Sequence, residues 1–236
     1  GKKEINGTKT CRFVQYEQGE HALVPSTLKK LLKARKDTRA KIKTEPDAFK
    51  RSVLDGLQLA YKVTANSLYG QIGARTSAIY LKEVAASTTA TGRRMIMFAK
   101  DFVEKFYPGA DVVYGDTDSI FVKFKMLDKD GNDLKGIPAL QESIRLGLEA
   151  GEAISKLLPP PQDLEYEKTF WPWIIFSKKR YAGELYETDP NVHKFKCMGI
   201  VLKRRDNAPI VKTIYGGVMD IIMKEKDTGK ALTYLE

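Results

Sequence analysis

The chain is poor in the residues that build thiolate metal sites and disulfide frameworks. It has two cysteines, Cys11 and Cys197, and two histidines, His21 and His193. No C-x-x-C spacing joins them, which argues against a zinc site, and two distant cysteines make no disulfide scaffold. A reducing intracellular compartment is the resulting expectation. Asn6-Gly7-Thr8 fits a glycosylation acceptor pattern, which is frequent by chance. There is no apolar run near the roughly 18 residues of a membrane span, so no membrane partner is expected. The most apolar stretch, Phe170–Phe176, is short and interrupted by Pro172. No signal-peptide pattern and no internal repeat is visible, and Gly1 in place of Met points to a fragment or a processed product.

What is present is charge, unevenly placed. The chain has 236 residues with 42% hydrophobic content, enough to core one large domain or two small ones. Its formal net charge is +10, which favours a polyanionic partner. Residues 28–62 hold eleven Lys/Arg against four Asp/Glu, and residues 177–206 hold eight against four. These two blocks exceed the whole excess.

The pattern predicts short strands near 11–16, then a helix from Ser26, as N-cap, to about Lys43, with Leu28, Leu31, Leu32 and Ile42 as its apolar positions. Pro46 turns the chain. A second helix over about 47–68 follows, with Val53, Leu57, Ala60 and Val63 along one side and Gly70 just past its end, so the two form an antiparallel hairpin. Further helices are expected at 84–107, 138–158 and 209–224. Strands are expected at 163–169, 173–177, 180–187 and 196–202.

Val112–Val122 is the most informative stretch. Two strand-forming runs flank Gly115-Asp116-Thr117-Asp118-Ser119, a hairpin with two carboxylates at its turn. Such a turn is either a seat for a hard divalent cation, Mg²⁺ above all, or an ordinary Asp-rich turn. Arg35, Arg39 and Lys43 recur at spacing four, which stacks them about 6 Å apart on one helical face. Lys62 and Asn66 do the same on the second helix, followed by Tyr69 and Gly70. These rows suit a triphosphate, with Arg as fork and Lys as point charge, or they are solvated faces. Lys178, Lys179, Arg180 and Tyr181 suit a nucleic-acid backbone, or form a basic edge strand that resists aggregation. On a strand Lys179 and Tyr181 would share one face. Lys203-Arg204-Arg205 repeats the basic theme.

Three of these segments resemble family B DNA polymerases, and most nearly the delta-type replicative enzymes and their relatives in large DNA viruses. Lys62…Asn66-Ser67-Leu68-Tyr69-Gly70 is similar to the K-x-x-x-N-S-x-Y-G motif, Tyr114–Ser119 to the Y-G-D-T-D-S hairpin, and Lys179-Arg180-Tyr181 to the K-x-Y motif. The resemblance extends over most of the chain. It implies an α+β polymerase palm, an antiparallel sheet backed by helices, with an antiparallel helical hairpin as fingers. The implied division is a partial palm lead-in at 1–25, fingers at 26–70, palm at 71–205 and the start of a truncated thumb at 206–236.

The resemblance also implies roles. Asp118 would be the carboxylate touching two Mg²⁺ ions, Asp116 the weaker carboxylate beside it, and Glu167 an acidic residue near the metals. Arg35, Arg39, Lys62 and Asn66 would grip the triphosphate of a dNTP. Tyr69 and Gly70 would pack on the nascent base pair. Lys178, Lys179, Arg180, Tyr181, Lys203, Arg204 and Arg205 would hold primer-template DNA. The parent enzyme would transfer dNMP to a primer 3′-hydroxyl by a two-metal mechanism. It would work with a processivity clamp, in the nucleus or a viral replication compartment. The family's D-x-x-S-L-Y-P segment has no match in residues 1–27, so the 236 residues alone are expected to be inactive. The competing reading is a non-catalytic polymerase-like module that only binds DNA.

Overall fold

The computed structural model describes residues 10–14, 16–17, 20–128, 130–200, 202, 208–225 and 227–236. The chain forms two compact units that divide between Gly92 and Arg93.

The first unit is a helical hairpin of α1 (Leu23–Thr44) and α2 (Ala48–Gly73), followed by the start of α3 (Lys82–Phe106). Pro46 holds Glu45 in extended backbone, and the Asp47 carboxylate accepts the Lys50 N–H at 2.9 Å, capping α2. α1 begins three residues before the expected Ser26 cap. Ala22 is its N-cap, and Ser26 N–H already donates to the Ala22 carbonyl at 2.9 Å. No strand forms among the described residues of 11–16.

The inward face of α2 also differs from expectation. Leu54, Tyr61, Ala65, Leu68 and Ile72, spaced by seven, four, three and four, are buried or half-buried, whereas Val53, Leu57, Ala60 and Val63 are exposed. Both rows have helical spacing, so periodicity alone could not choose between them. α1 presents half-buried Leu31 and Arg35 and buried Thr38, and Arg35 Nε donates to Gln58 Oε1 of α2 at 3.3 Å. Gly70 lies inside α2 rather than beyond it, because the helix continues to Gly73.

The second unit contains the rest of α3 and the hairpin of β1 (Asp111–Asp116) and β2 (Ser119–Lys123), then α4 (Gly136–Ser155). An antiparallel meander follows, β3 (Thr169–Ser177), β4 (Arg180–Tyr186) and β5 (His193–Met198), in the order β3-β4-β5. α5 (Pro209–Asp220), a π-helical turn (Ile221–Glu225) and α6 (Thr228–Thr233) complete it. The arrangement is mixed helix and antiparallel sheet, as expected. Val103 and Ile154 are the centre of one core, with Ala99, Phe124 and Ala150. Ala182, Cys197, Ile200, Met219 and Met223 form a second core beneath β4 and β5.

Three expected strands change. The segment 163–168 is not a strand, since Ser155 Oγ accepts the Leu164 N–H at 2.8 Å and donates to its carbonyl at 3.0 Å. With both groups used, Leu164 has nothing to offer a ladder. Gly151 permits this approach, for a Cβ there would lie 3.0 Å from the Leu164 carbonyl. β3 starts at Thr169 and runs through Pro172, and the register shifts between Phe170 and Trp173 where the proline lacks its N–H. β5 ends at Met198, because Gly199 turns left-handed at φ +62°.

Candidate functional site

The β1–β2 turn is two residues, Thr117 and Asp118, between the paired Asp116 and Ser119. Thr117 sits at φ +54°, an uncommon conformation for a residue with a Cβ. The turn is closed by Asp118 N–H to the Asp116 carbonyl at 2.6 Å and by Ser119 Oγ to the same oxygen at 3.2 Å. Asp118 is left exposed and lines a groove of about 1170 Å³ that Glu167 also lines. Glu167 is also paired with Lys168 at 2.6 Å.

The β3–β4 turn is built alike. Ser177 pairs with Arg180, leaving Lys178 and Lys179 as the turn, with Lys179 at φ +63°. Strand alternation therefore does not place Lys179 and Tyr181 on a common face, because Lys179 lies outside the strand. Lys178, Lys179 and Arg180 are exposed, while Tyr181 is buried.

The two turns meet. Lys179 Nζ lies 2.6 Å from Asp116 Oδ1, and the Lys179 backbone N–H donates to the Tyr114 hydroxyl at 2.9 Å. Thr117 Oγ1 donates to Asp116 Oδ1 at 3.1 Å. Behind these contacts Tyr114, Phe121, Phe170, Trp173 and Tyr181 pack edge and face, with Phe121 and Trp173 stacked at 5.1 Å between centroids. Aromatic packing of this kind fixes relative position. The exposed ion pair contributes little to stability by itself, so its importance lies in where it holds Lys179.

Electrostatics follow from the contact. The Lys179 ammonium holds the Asp116 carboxyl below the ordinary value near 3.8, assisted by the Thr117 and Tyr114 hydroxyls. Asp116 in turn raises Lys179 above its usual 10.5. Asp116 therefore contributes stability that is present above the unfolded value and lost as pH falls through the depressed folded one. The Lys179 contribution is complete below its unfolded value and lost as pH rises through the raised one. In a carboxyl-carbon NMR titration, Asp116 is expected to show its midpoint below 3.8 in the parent and higher in Lys179→Met. Burial, with Tyr114, Glu167 and Asp116 nearby, raises Tyr181.

Carboxylate oxygens suit Mg²⁺ in kind. Among the described residues, however, no three His, Cys, Asp or Glu side chains gather as a metal-binding set. Asp118 and Glu167 fit as contributors to such a site rather than as a complete one. Arg35, Arg39, Lys62, Asn66, Tyr69 and Gly70 all lie on the α1–α2 hairpin; Arg39, Lys62, Asn66, Tyr69 and Gly70 are exposed and Arg35 is half-buried. Lys203, Arg204 and Arg205 lie outside the described residues. Sequence reasoning did not anticipate the ring cluster or the contact of Tyr114 with the second turn. The only local signal was the aromatic density of Phe170–Phe176.

The model of DNA polymerase family B matches residues 2–236, and the chain belongs to that family. It is 49% identical to a DNA polymerase of Pyramimonas orientalis virus, across 100% of this chain and 23% of that protein. It is 38% identical to the DNA polymerase delta catalytic subunit of Drosophila melanogaster, across 99% of this chain and 21% of the subunit. The chain thus spans about a fifth of the length of these relatives. A solved structure of the family B DNA polymerase from Pyrobaculum calidifontis superposes with a TM-score of 0.57 at 26% identity, covering 92% of this chain and 25% of that one. Among the described residues no helix is long and apolar enough to cross a membrane.

Proposed function

We propose that the protein containing this chain performs template-directed DNA synthesis, and that these residues supply its carboxylate hairpin, its primer-holding turn and its nucleotide-gripping helices. The observation that carries the reading is the 2.6 Å contact of Asp116 with Lys179. A carboxylate turn beside a cationic turn joins metal-binding and phosphate-binding groups, as phosphoryl transfer at a primer end requires. In these terms 1–25 lead into the palm, 26–70 are fingers, 71–205 are palm and 206–236 begin the thumb.

In the reaction the primer 3′-oxygen bonds to the α-phosphorus of a dNTP as the bond to the bridging oxygen breaks and pyrophosphate leaves. Asp118 would hold Mg²⁺, with Glu167 in the same groove and Asp116 beside the ion without touching it. Bound Mg²⁺ would supply positive charge for the attacking and departing oxygens. Arg35, Arg39 and Lys62 would offset charge on the triphosphate, with Asn66 as an added donor and Tyr69 and Gly70 against the new base pair. Lys178, Lys179, Arg180 and Tyr181 would position the primer strand. Further ligands and most of the DNA channel would come from the rest of the protein, so the 236 residues alone would not extend a primer.

The test is the salt dependence of primer-template binding by the intact polymerase. Each Lys–phosphate contact releases counterion, so Lys179→Ala is expected to reduce the slope of log K against log salt by about one. An unchanged slope would remove Lys179 from the DNA contact. Synthesis that survives loss of Asp118 would remove this hairpin from the chemistry and leave these residues as a DNA-binding module.

A further inference from the structure

We propose that Tyr114 and Asp116 are positioning residues that act on DNA through Lys179, and that Asp116 serves primer placement rather than metal binding. The inference rests on the reading above that Lys179 holds the primer. Lys179 is gripped at two points by one strand, its backbone N–H by the Tyr114 hydroxyl at 2.9 Å and its ammonium by Asp116 at 2.6 Å. Tyr114 and Asp116 are two apart on β1, so both side chains leave the strand on the same side. Asp118 adds its charge near Lys179 but is exposed at the turn and lines the groove with Glu167.

The two carboxylates of one short turn thus divide their work. Asp116 already has a cation, and Thr117 Oγ1 occupies the same Oδ1 at 3.1 Å. Asp118 keeps its oxygens for ligands in the groove. The left-handed Lys179, at φ +63°, is uncommon for a residue with a Cβ and needs such external contacts to hold it. The two grips supply them, so the ammonium is presented to DNA in one place. When primer phosphate arrives, Lys179 is positioned without having to be ordered.

The experiment uses the intact polymerase, with Mn²⁺ binding followed by electron paramagnetic resonance and primer-template affinity by fluorescence anisotropy. Tyr114→Phe and Asp116→Ala are each expected to raise the primer-template Kd about 3- to 10-fold, the range of one lost hydrogen bond or charge contact. KM for primer-template should rise in step with that Kd. Asp116→Asn, which keeps an oxygen acceptor for Lys179, should recover most of the loss. Asp116→Ala combined with Lys179→Ala should be no worse than Lys179→Ala alone. Mn²⁺ affinity should stay within about twofold in the Tyr114 and Asp116 variants and fall steeply in Asp118→Ala. If Asp116→Ala weakens Mn²⁺ binding as much as Asp118→Ala does, or if the Asp116 and Lys179 effects add fully, the proposal is overturned. If the Lys179 variant binds DNA normally, the underlying reading of that turn fails instead.

Discussion

Asp118→Ala in the intact polymerase is expected to reduce DNA synthesis by a factor on the order of 10³ or more while changing primer-template affinity by less than about threefold. The magnitude follows from what Asp118 does in the proposed reaction. The Mg²⁺ that Asp118 would hold would supply positive charge to the transition-state oxygens, stabilisation worth about 4 kcal/mol, and each 1.36 kcal/mol is tenfold in rate. DNA affinity, by contrast, is carried by cations, and Asp118, unlike Asp116, pairs with none of the cations assigned to DNA among the described residues. Asp118 is exposed at the tip of a two-residue turn, so truncating it leaves no cavity. A single-turnover incorporation assay beside an anisotropy titration measures both quantities. Loss of synthesis and binding together would point to a damaged fold, and retention of both would remove Asp118 from the chemistry.

Gly199→Ala is the second large effect, and it comes from a residue with no chemistry of its own. A Cβ built there lies 2.2 Å from the Lys179 carbonyl oxygen, against backbone that cannot rotate away, and Gly199 sits at φ +62°. The left-handed conformation alone costs alanine about 1–2 kcal/mol, and the collision must move one of the two segments. We expect a loss of about 2–4 kcal/mol in local stability, read as faster hydrogen exchange of the β4 and β5 amides, together with weakened primer-template binding as the Lys179 turn is displaced. Gly131→Ala is the control. It has φ +84° with nothing within 4 Å of the added Cβ, so it should show the conformational cost without any change in DNA affinity.

The parts of the fold that local chemistry dictates were legible in the sequence. Pro46 marks the hairpin turn, and the strand-forming runs around Asp116 and Asp118 produce β1 and β2 in antiparallel register. What was not legible depends on partners distant in sequence. The buried side of α2 is chosen by α1, not by the apolar count of Val53, Leu57 and Val63. Ser155, with Gly151 leaving room, straps Leu164 onto α4 and keeps 163–168 out of the sheet. In the site, the carboxylates and cations proposed for metal and phosphate stand out in the sequence by their motifs. That Lys179 meets Tyr114 across 65 positions of sequence was not, because no periodicity reports it.

Thr117 and Lys179, the two left-handed residues carrying a Cβ among the described residues, also bear on how this surface tolerates substitution. At either position glycine or asparagine would relax the backbone, so selection for thermal robustness alone would steer both toward those residues. Thr117 has only a hydroxyl to lose. Lys179 would give up the cation that Asp116 faces, so engineering this turn for heat resistance should improve melting behaviour at the expense of grip on the nucleic acid.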